Sequence, residues 1–170
     1  MNCSPRFLAA GAVALWVAGN CAALADVKMP AIFGDHMVLQ DGLPVPVWGT
    51  ADPGEAVTVT LSAHSANATA GSDGKWMAKL PAMDASAQGA AMTVAGKNTL
   101  TFQDVLIGEV WVCSGQSNME FPMTRAHNAG TEIPKANDPQ IRLFLVARQE
   151  AHAPASDVVG KWVVCAPDSV

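Results

Sequence analysis

Asp52-Pro53-Gly54-Glu55, followed by Val57-Thr58-Val59-Thr60-Leu61-Ser62, decides the fold class of this chain. Pro53 sets φ and Gly54 accepts a positive φ, so the first four residues form a turn. The next six alternate apolar and hydroxyl side chains, the period-two pattern of a half-buried strand. Upstream, Val45-Pro46-Val47-Trp48-Gly49 reads as an extended run that its prolines confine to an edge. Downstream, Ser72-Asp73-Gly74-Lys75-Trp76 carries an Asp-Gly pair suited to a type I′ hairpin turn. Extended runs continue at Met92-Thr93-Val94 and Thr99-Leu100-Thr101-Phe102. Short strands with turn chemistry between them predict an antiparallel β-sandwich over residues 26–106. Trp48 and Trp76 then read as core or inter-sheet anchors, with a sugar-stacking platform as the sharper alternative.

Near Val105 the pattern changes. Val105-Leu106-Ile107-Gly108-Glu109-Val110-Trp111-Val112-Cys113 is apolar on both faces, as a strand covered on both sides should be. Ile141-Arg142-Leu143-Phe144-Leu145-Val146 and Lys161-Trp162-Val163-Val164-Cys165 repeat that character. Phe121 to Pro139 has the polar, Gly and Pro breaks of a short helix and loops. Residues 107–170 therefore read as the start of a parallel α/β sheet, with few helices to cover it. At the other end, Arg6, the apolar run from Phe7 to Ala18 and Ala23-Leu24-Ala25 predict a signal peptide over residues 1–25. Cleavage after Ala25 would start the mature chain at Asp26 and export it to the periplasm or medium. Cys21 raises a lipoprotein alternative, but Asn20 stands where a lipobox needs a small residue.

Composition narrows the partners. The 170 residues are 50% hydrophobic and 15% charged, which argues against disorder, and the formal charge is −5. With no basic run, nucleic acid and anionic membranes are poor partners. No apolar stretch reaches the roughly 18 residues of a membrane span. The leader contains two of the four Cys, which leaves Cys113 and Cys165. In an oxidising compartment these two can bridge; otherwise they are buried thiols acting as small hydrophobes. Both end apolar runs assigned to one sheet, so a bridge is expected in the exported, full-length protein. No CxxC or Cys/His spacing indicates zinc, and no cofactor is expected.

Ser114-Gly115-Gln116-Ser117-Asn118-Met119-Glu120 follows directly on the first two-faced apolar run. Ligands and nucleophiles of open α/β sheets sit at such carboxyl ends. A turn into a helix would expose the Ser117 Oγ and aim its own N–H at a developing oxyanion. The plainer reading is a polar loop with Ser117 or Asn118 capping a helix.

The block Val110-Trp111-Val112-Cys113-Ser114-Gly115-Gln116-Ser117-Asn118-Met119-Glu120 resembles the nucleophile block of the sialate O-acetylesterase family, whose catalytic domain is of SGNH type. That family has Gly-Gln-Ser where related enzymes have Gly-Asp-Ser. The resemblance extends through Ile32-Phe33-Gly34-Asp35-His36-Met37-Val38-Leu39-Gln40, Val47 to Glu55, Asp73 to Trp76, and Trp162-Val163-Val164-Cys165-Ala166-Pro167. It implies a β domain followed by the amino-terminal part of a flavodoxin-like hydrolase domain. It also implies a serine esterase that removes acetyl groups from sugar hydroxyls. Ser117 would be the nucleophile and an oxyanion donor, with Gln116 and Asn118 shaping the turn or pocket. The family's His and Asp come from an Asp-x-x-His block near the carboxyl end. In the second half of this sequence no Asp or Glu is spaced that way before a His.

A substitute base would have to be His36, His64, His127 or His152, each of which reads as a solvated loop or β-domain residue. Glu109 and Glu120 flank the motif, but a bare carboxylate is too weak a base for Ser without strong tuning. Two function classes follow. One is an exported acetylesterase acting on O-acetylated sialic acid, or on an acetylxylan-type sugar, present here without its base and therefore inactive alone. The other is a non-catalytic carbohydrate-binding or accessory β module.

Overall fold

The computed structural model of the chain describes residues 26–170. The expected leader, its cleavage pattern and Cys21 lie outside those residues. The described residues are mostly β: β1 (Val38–Gln40), β2 (Val45–Thr50), β3 (Ala56–Leu61), β4 (His64–Thr69), β5 (Lys75–Leu80), β6 (Ser86–Ala95), β7 (Thr99–Gly108), β8 (Asp138–Phe144) and β9 (Trp162–Cys165). One short α-helix, α1 (Ala129–Glu132), and three 3-10 turns lie between β7 and β8.

β1, β7, β6, β3 and β4 form a five-stranded sheet in that order, and β2 pairs with β5 as a separate antiparallel ribbon. β3 shows why they fold this way: Val57, Val59 and Leu61 are buried while Ala56, Thr58 and Thr60 are not, as the alternation requires. β2 and β5 alternate likewise, sending Val45, Val47, Trp76, Ala78 and Leu80 inward. These inward faces share one core with Phe33, Met37, Met92, Val94 and Val105. The result is a curled half-barrel rather than the expected sandwich of two full antiparallel sheets. β1 also runs parallel to β7, pairing Val38 with Leu106 and Gln40 with Gly108. Pro46 sits in the two-stranded ribbon, where its missing N–H costs no ladder bond to a third strand.

The turn at Asp52–Glu55 forms as read, with Gly54 at φ +80° and the Glu55 N–H donating to Asp52 O at 2.9 Å. Glu55 is itself buried, at 8% exposure. Its Oε2 accepts from the Asp52 N–H at 3.0 Å and its Oε1 from the Lys97 N–H at 2.6 Å. One carboxylate thus ties this turn to the β6–β7 connection. Glu55→Ala removes the carboxylate that accepts from both N–H groups and should cost about 2–4 kcal/mol. A shift of the urea midpoint at unchanged slope would report it.

The Asp73-Gly74 turn differs from the sequence reading. Gly74 N–H donates to Gly71 O at 2.9 Å and Gly71 N–H to Lys75 O at 2.9 Å. Positive φ falls on Gly74 (+76°) and not on Ser72 or Asp73, so the loop is a common-handed turn closed by a left-handed glycine, not type I′. It passes the chain from β4 in one sheet to β5 in the other.

The larger correction concerns residues 107–170. β7 runs to Gly108, and Val105 and Leu106 are both buried as a two-faced strand should be. The run then leaves the sheet: Val110, Trp111 and Val112 are 40%, 80% and 90% exposed. Instead of a parallel sheet, β8 and β9 form an antiparallel pair, Leu143 opposite Val163 and Phe144 opposite Trp162. A strand apolar on both faces needs two covering layers. Among the described residues none covers 110–113. No described helix is long and apolar enough to cross a membrane.

Candidate functional site

Ser117 opens a 3-10 turn, Ser117–Glu120, entered from Gln116 in extended conformation. Met119 N–H donates to Gln116 O at 2.9 Å and Phe121 N–H to Asn118 O at 3.2 Å. The first N–H groups of such a turn, those of Ser117 and Asn118, have no acceptor within it. Gly115 lets the Met119 side chain lie close against the turn, since a Cβ there would stand 2.9 Å from Met119 Cγ. The sequence therefore makes a tight turn with the Ser117 hydroxyl and two N–H groups at its head.

Every residue from Trp111 to Phe121 is exposed. Among the described residues no side chain hydrogen-bonds to the Ser117 hydroxyl. Gln116 and Asn118 flank it and are exposed. Two concave regions, of about 340 and 470 Å³, are lined by residues around Leu61, His64 and Gln88 and around Val146 and Val158; neither includes a residue of the Ser117 turn. Glu120 pairs with Arg148 through both carboxylate oxygens at the surface. Glu109 is exposed. His127 and His152 are exposed as well, and His64 lies on β4 at the rim of the smaller cavity. Cys113 and Cys165 are both free thiols here, the first exposed and the second buried. Cys113 has left the sheet with the run that carries it, whereas Cys165 ends β9 and acts as a small hydrophobe. No three His, Cys, Asp or Glu side chains group as a metal site would need among the described residues.

His36 is the histidine with a carboxylate behind it. Its Nδ1 lies 2.7 Å from Asp104 Oδ2, the arrangement that orients an imidazole base. That pair does not meet Ser117. It meets Arg142 of β8, whose NH1 donates to the same Asp104 Oδ2 at 2.7 Å and lies 3.4 Å from the carbonyls of His36 and Asp104. The Arg142 side chain is only 4% exposed. His36 and Asp104 both adopt left-handed backbone, at φ +65° and +56°. Gly89 makes room for the carboxylate, since a Cβ there would fall on Asp104 Oδ1. The cluster is a latch fastening β8 to the half-barrel. The sign in the sequence is Arg142 itself, since a lone Arg inside an apolar strand has to find an anion or carbonyls.

Arg142 first, and His36 second, hold the Asp104 carboxyl below its ordinary value of 3.8. A lowered carboxyl adds stability that is fully present above the ordinary value and is lost as pH falls through the lowered one. The melting temperature of the unmodified protein should therefore exceed that of Asp104→Asn at pH values above 3.8. The margin should shrink as pH drops below 3.8. A margin independent of pH would contradict the ionic latch.

No protein-family model matches the chain. Curated relatives do. The chain is 33% identical over 145 residues to the sialate O-acetylesterase of Rattus norvegicus, covering 78% of this chain and 27% of that protein. Against the sialate O-acetylesterase of Homo sapiens it is 32% identical over 145 residues, covering 78% and 28%. Among solved structures, a carbohydrate acetylesterase from Xanthomonas citri matches with a TM-score of 0.80 at 33% identity, over 84% of this chain and 33% of that one. The chain thus spans about a quarter to a third of the length of these relatives. These likenesses establish a carbohydrate-acetylesterase-like family relationship.

Proposed function

We propose that the chain carries the β domain and the nucleophile turn of an exported serine carbohydrate acetylesterase of the sialate O-acetylesterase type. Residues 26–106 are its β domain and 107–170 the beginning of its SGNH-type domain. The observation that carries this reading is the Ser117 turn, with an exposed hydroxyl and free N–H groups at its head, within a chain whose relatives are named as acetylesterases. Ser117 Oγ would attack the acetyl carbonyl carbon and give its proton to a base. The C–O bond to the sugar then breaks, the sugar hydroxyl leaves with a proton, and water releases acetate from the acyl-serine. The Ser117 N–H stabilises the oxyanion in both steps.

The base and its carboxylate lie outside the described residues in this reading, so the 170-residue chain should hydrolyse esters no faster than a control protein. Acetate release from an O-acetylated sialic acid and from acetylxylan tests this. A version continued past Val170 to an Asp-x-x-His block should turn over one of the two, and that choice settles the substrate. Turnover by the 170-residue chain itself would mean that one of its own histidines serves as base. The separation of Ser117 from the His36–Asp104 pair favours a second reading, a non-catalytic accessory β module. Inactivity of the continued protein on every acetylated sugar would support that reading.

A further inference from the structure

The outer face of the β2–β5 ribbon is left unused by the esterase reading, and the inference drawn from it stands without that reading. Residues directly opposite in a ladder point to the same face. The register therefore sets three rows on this face: Lys28, Thr50 and Lys75; Trp48 and Met77; Pro46 and Lys79. All seven are exposed, Trp48 to 36% and Met77 to 54%. Trp48 is not loose: Phe33 packs against it at a centroid distance of 4.8 Å and an interplanar angle of 76°. A ring fixed in this way has lost its rotamer freedom before any ligand arrives. Its indole N–H has no partner among the described residues.

Charge defines the occupant. Asp73 pairs with Lys75 at 3.6 Å, which leaves Lys28 and Lys79 without a carboxylate partner among the described residues. These two ammonium groups bracket Trp48 from rows about 7 Å to either side, on a chain whose formal charge is −5. We propose that this face binds an acidic glycan, a sugar ring stacking on Trp48 and carboxylates of neighbouring residues reaching Lys28 and Lys79. Trp offers an apolar face to C–H groups and an N–H to a hydroxyl, as a pyranose requires. With two unpaired ammonium groups and a formal charge of −5, the face lacks the continuous basic track that a nucleic acid needs.

Affinity electrophoresis of the 170-residue chain through gels containing polygalacturonate, neutral galactan or poly-glutamate tests this. A single-stranded oligonucleotide serves as a fourth probe. Polygalacturonate should retard the protein most. Trp48→Ala should weaken that retardation at least tenfold. The double variant Lys28→Gln/Lys79→Gln, at exposed positions that leave the core untouched, should do the same for polygalacturonate and change nothing with galactan. No retardation by polygalacturonate would overturn the proposal. Retardation unchanged in both variants, or matched by poly-glutamate or the oligonucleotide, would overturn it as well.

Discussion

Ser117→Ala, introduced into a version continued to an Asp-x-x-His block, is expected to lower kcat/KM for an O-acetylated sugar at least about 10⁴-fold. Removing the nucleophile leaves only binding and oxyanion donors to act on the ester. The loss should fall on kcat, because the hydroxyl reacts in the transition state and contributes little to holding the sugar. It should leave stability within about 0.5 kcal/mol, since Ser117 is exposed and its hydroxyl holds nothing in place. A variant that loses activity together with its fold would point to a structural role. One that keeps its activity would remove Ser117 from the mechanism.

Gly49→Ala should be the most damaging small substitution in the half-barrel. A Cβ at Gly49 would fall on the backbone oxygen of Lys28 and stand 3.0 Å from Trp76 Cζ2 and 3.2 Å from Met29 Sδ. Lys28 cannot withdraw cheaply, because its N–H and C=O both bond Thr50, at 2.8 and 2.9 Å. Trp76 is 4% exposed and fixed in the core. Overpacking of this kind costs about 3 kcal/mol or more when backbone has to move. In a half-barrel of roughly 80 residues that lowers the melting temperature by about 12–24 °C. Gly130→Ala is the control: it lies in α1 with nothing within 4 Å of the added methyl and should be neutral or slightly stabilising. Equal melting temperatures for the two variants would contradict the packing at Gly49.

Much of the half-barrel is readable from local chemistry. Val57, Val59 and Leu61 declare their inward face by alternation, Gly54 its turn by positive φ, and Pro46 its edge position by the missing donor. Which strands share a sheet is not readable, because pairing depends on distant partners. The turn at Gly74 looks the same in sequence whether it closes a hairpin or hands the chain between sheets. Trp48 and Trp76 are equivalent in composition and separated by parity alone, Trp48 pointing out and Trp76 in. The apolar run from Val105 to Cys113 misleads for a physical reason. Its first half lies in β7, and its second half has the same composition with no layers around it.

The site was half legible. A Ser in a Gly-containing turn marks itself, and the structure sets Ser117 at the head of that turn. Of the Arg142–Asp104–His36 latch only the lone Arg142 in an apolar strand shows locally, since its partners lie on two other segments and meet it only in the fold. Its consequence reaches the site. β8 is fastened to the half-barrel by Arg142, and the chain that continues from it carries Arg148, which pairs with Glu120 in the Ser117 turn. Sequence placed His36 among the candidate bases, and the fold gives it a carboxylate and an arginine instead of a serine.

The central claim is that Ser117 is a nucleophile whose base lies outside the described residues. A fluorophosphonate reacts only with a serine that has been activated. The decisive measurement is the mass-spectrometric position of the fluorophosphonate adduct in the 170-residue chain and in the version continued to an Asp-x-x-His block. The account predicts a single adduct on Ser117 in the continued protein and none in the shorter chain. An adduct on any other serine, or equal labelling of Ser117 in both proteins, would contradict it.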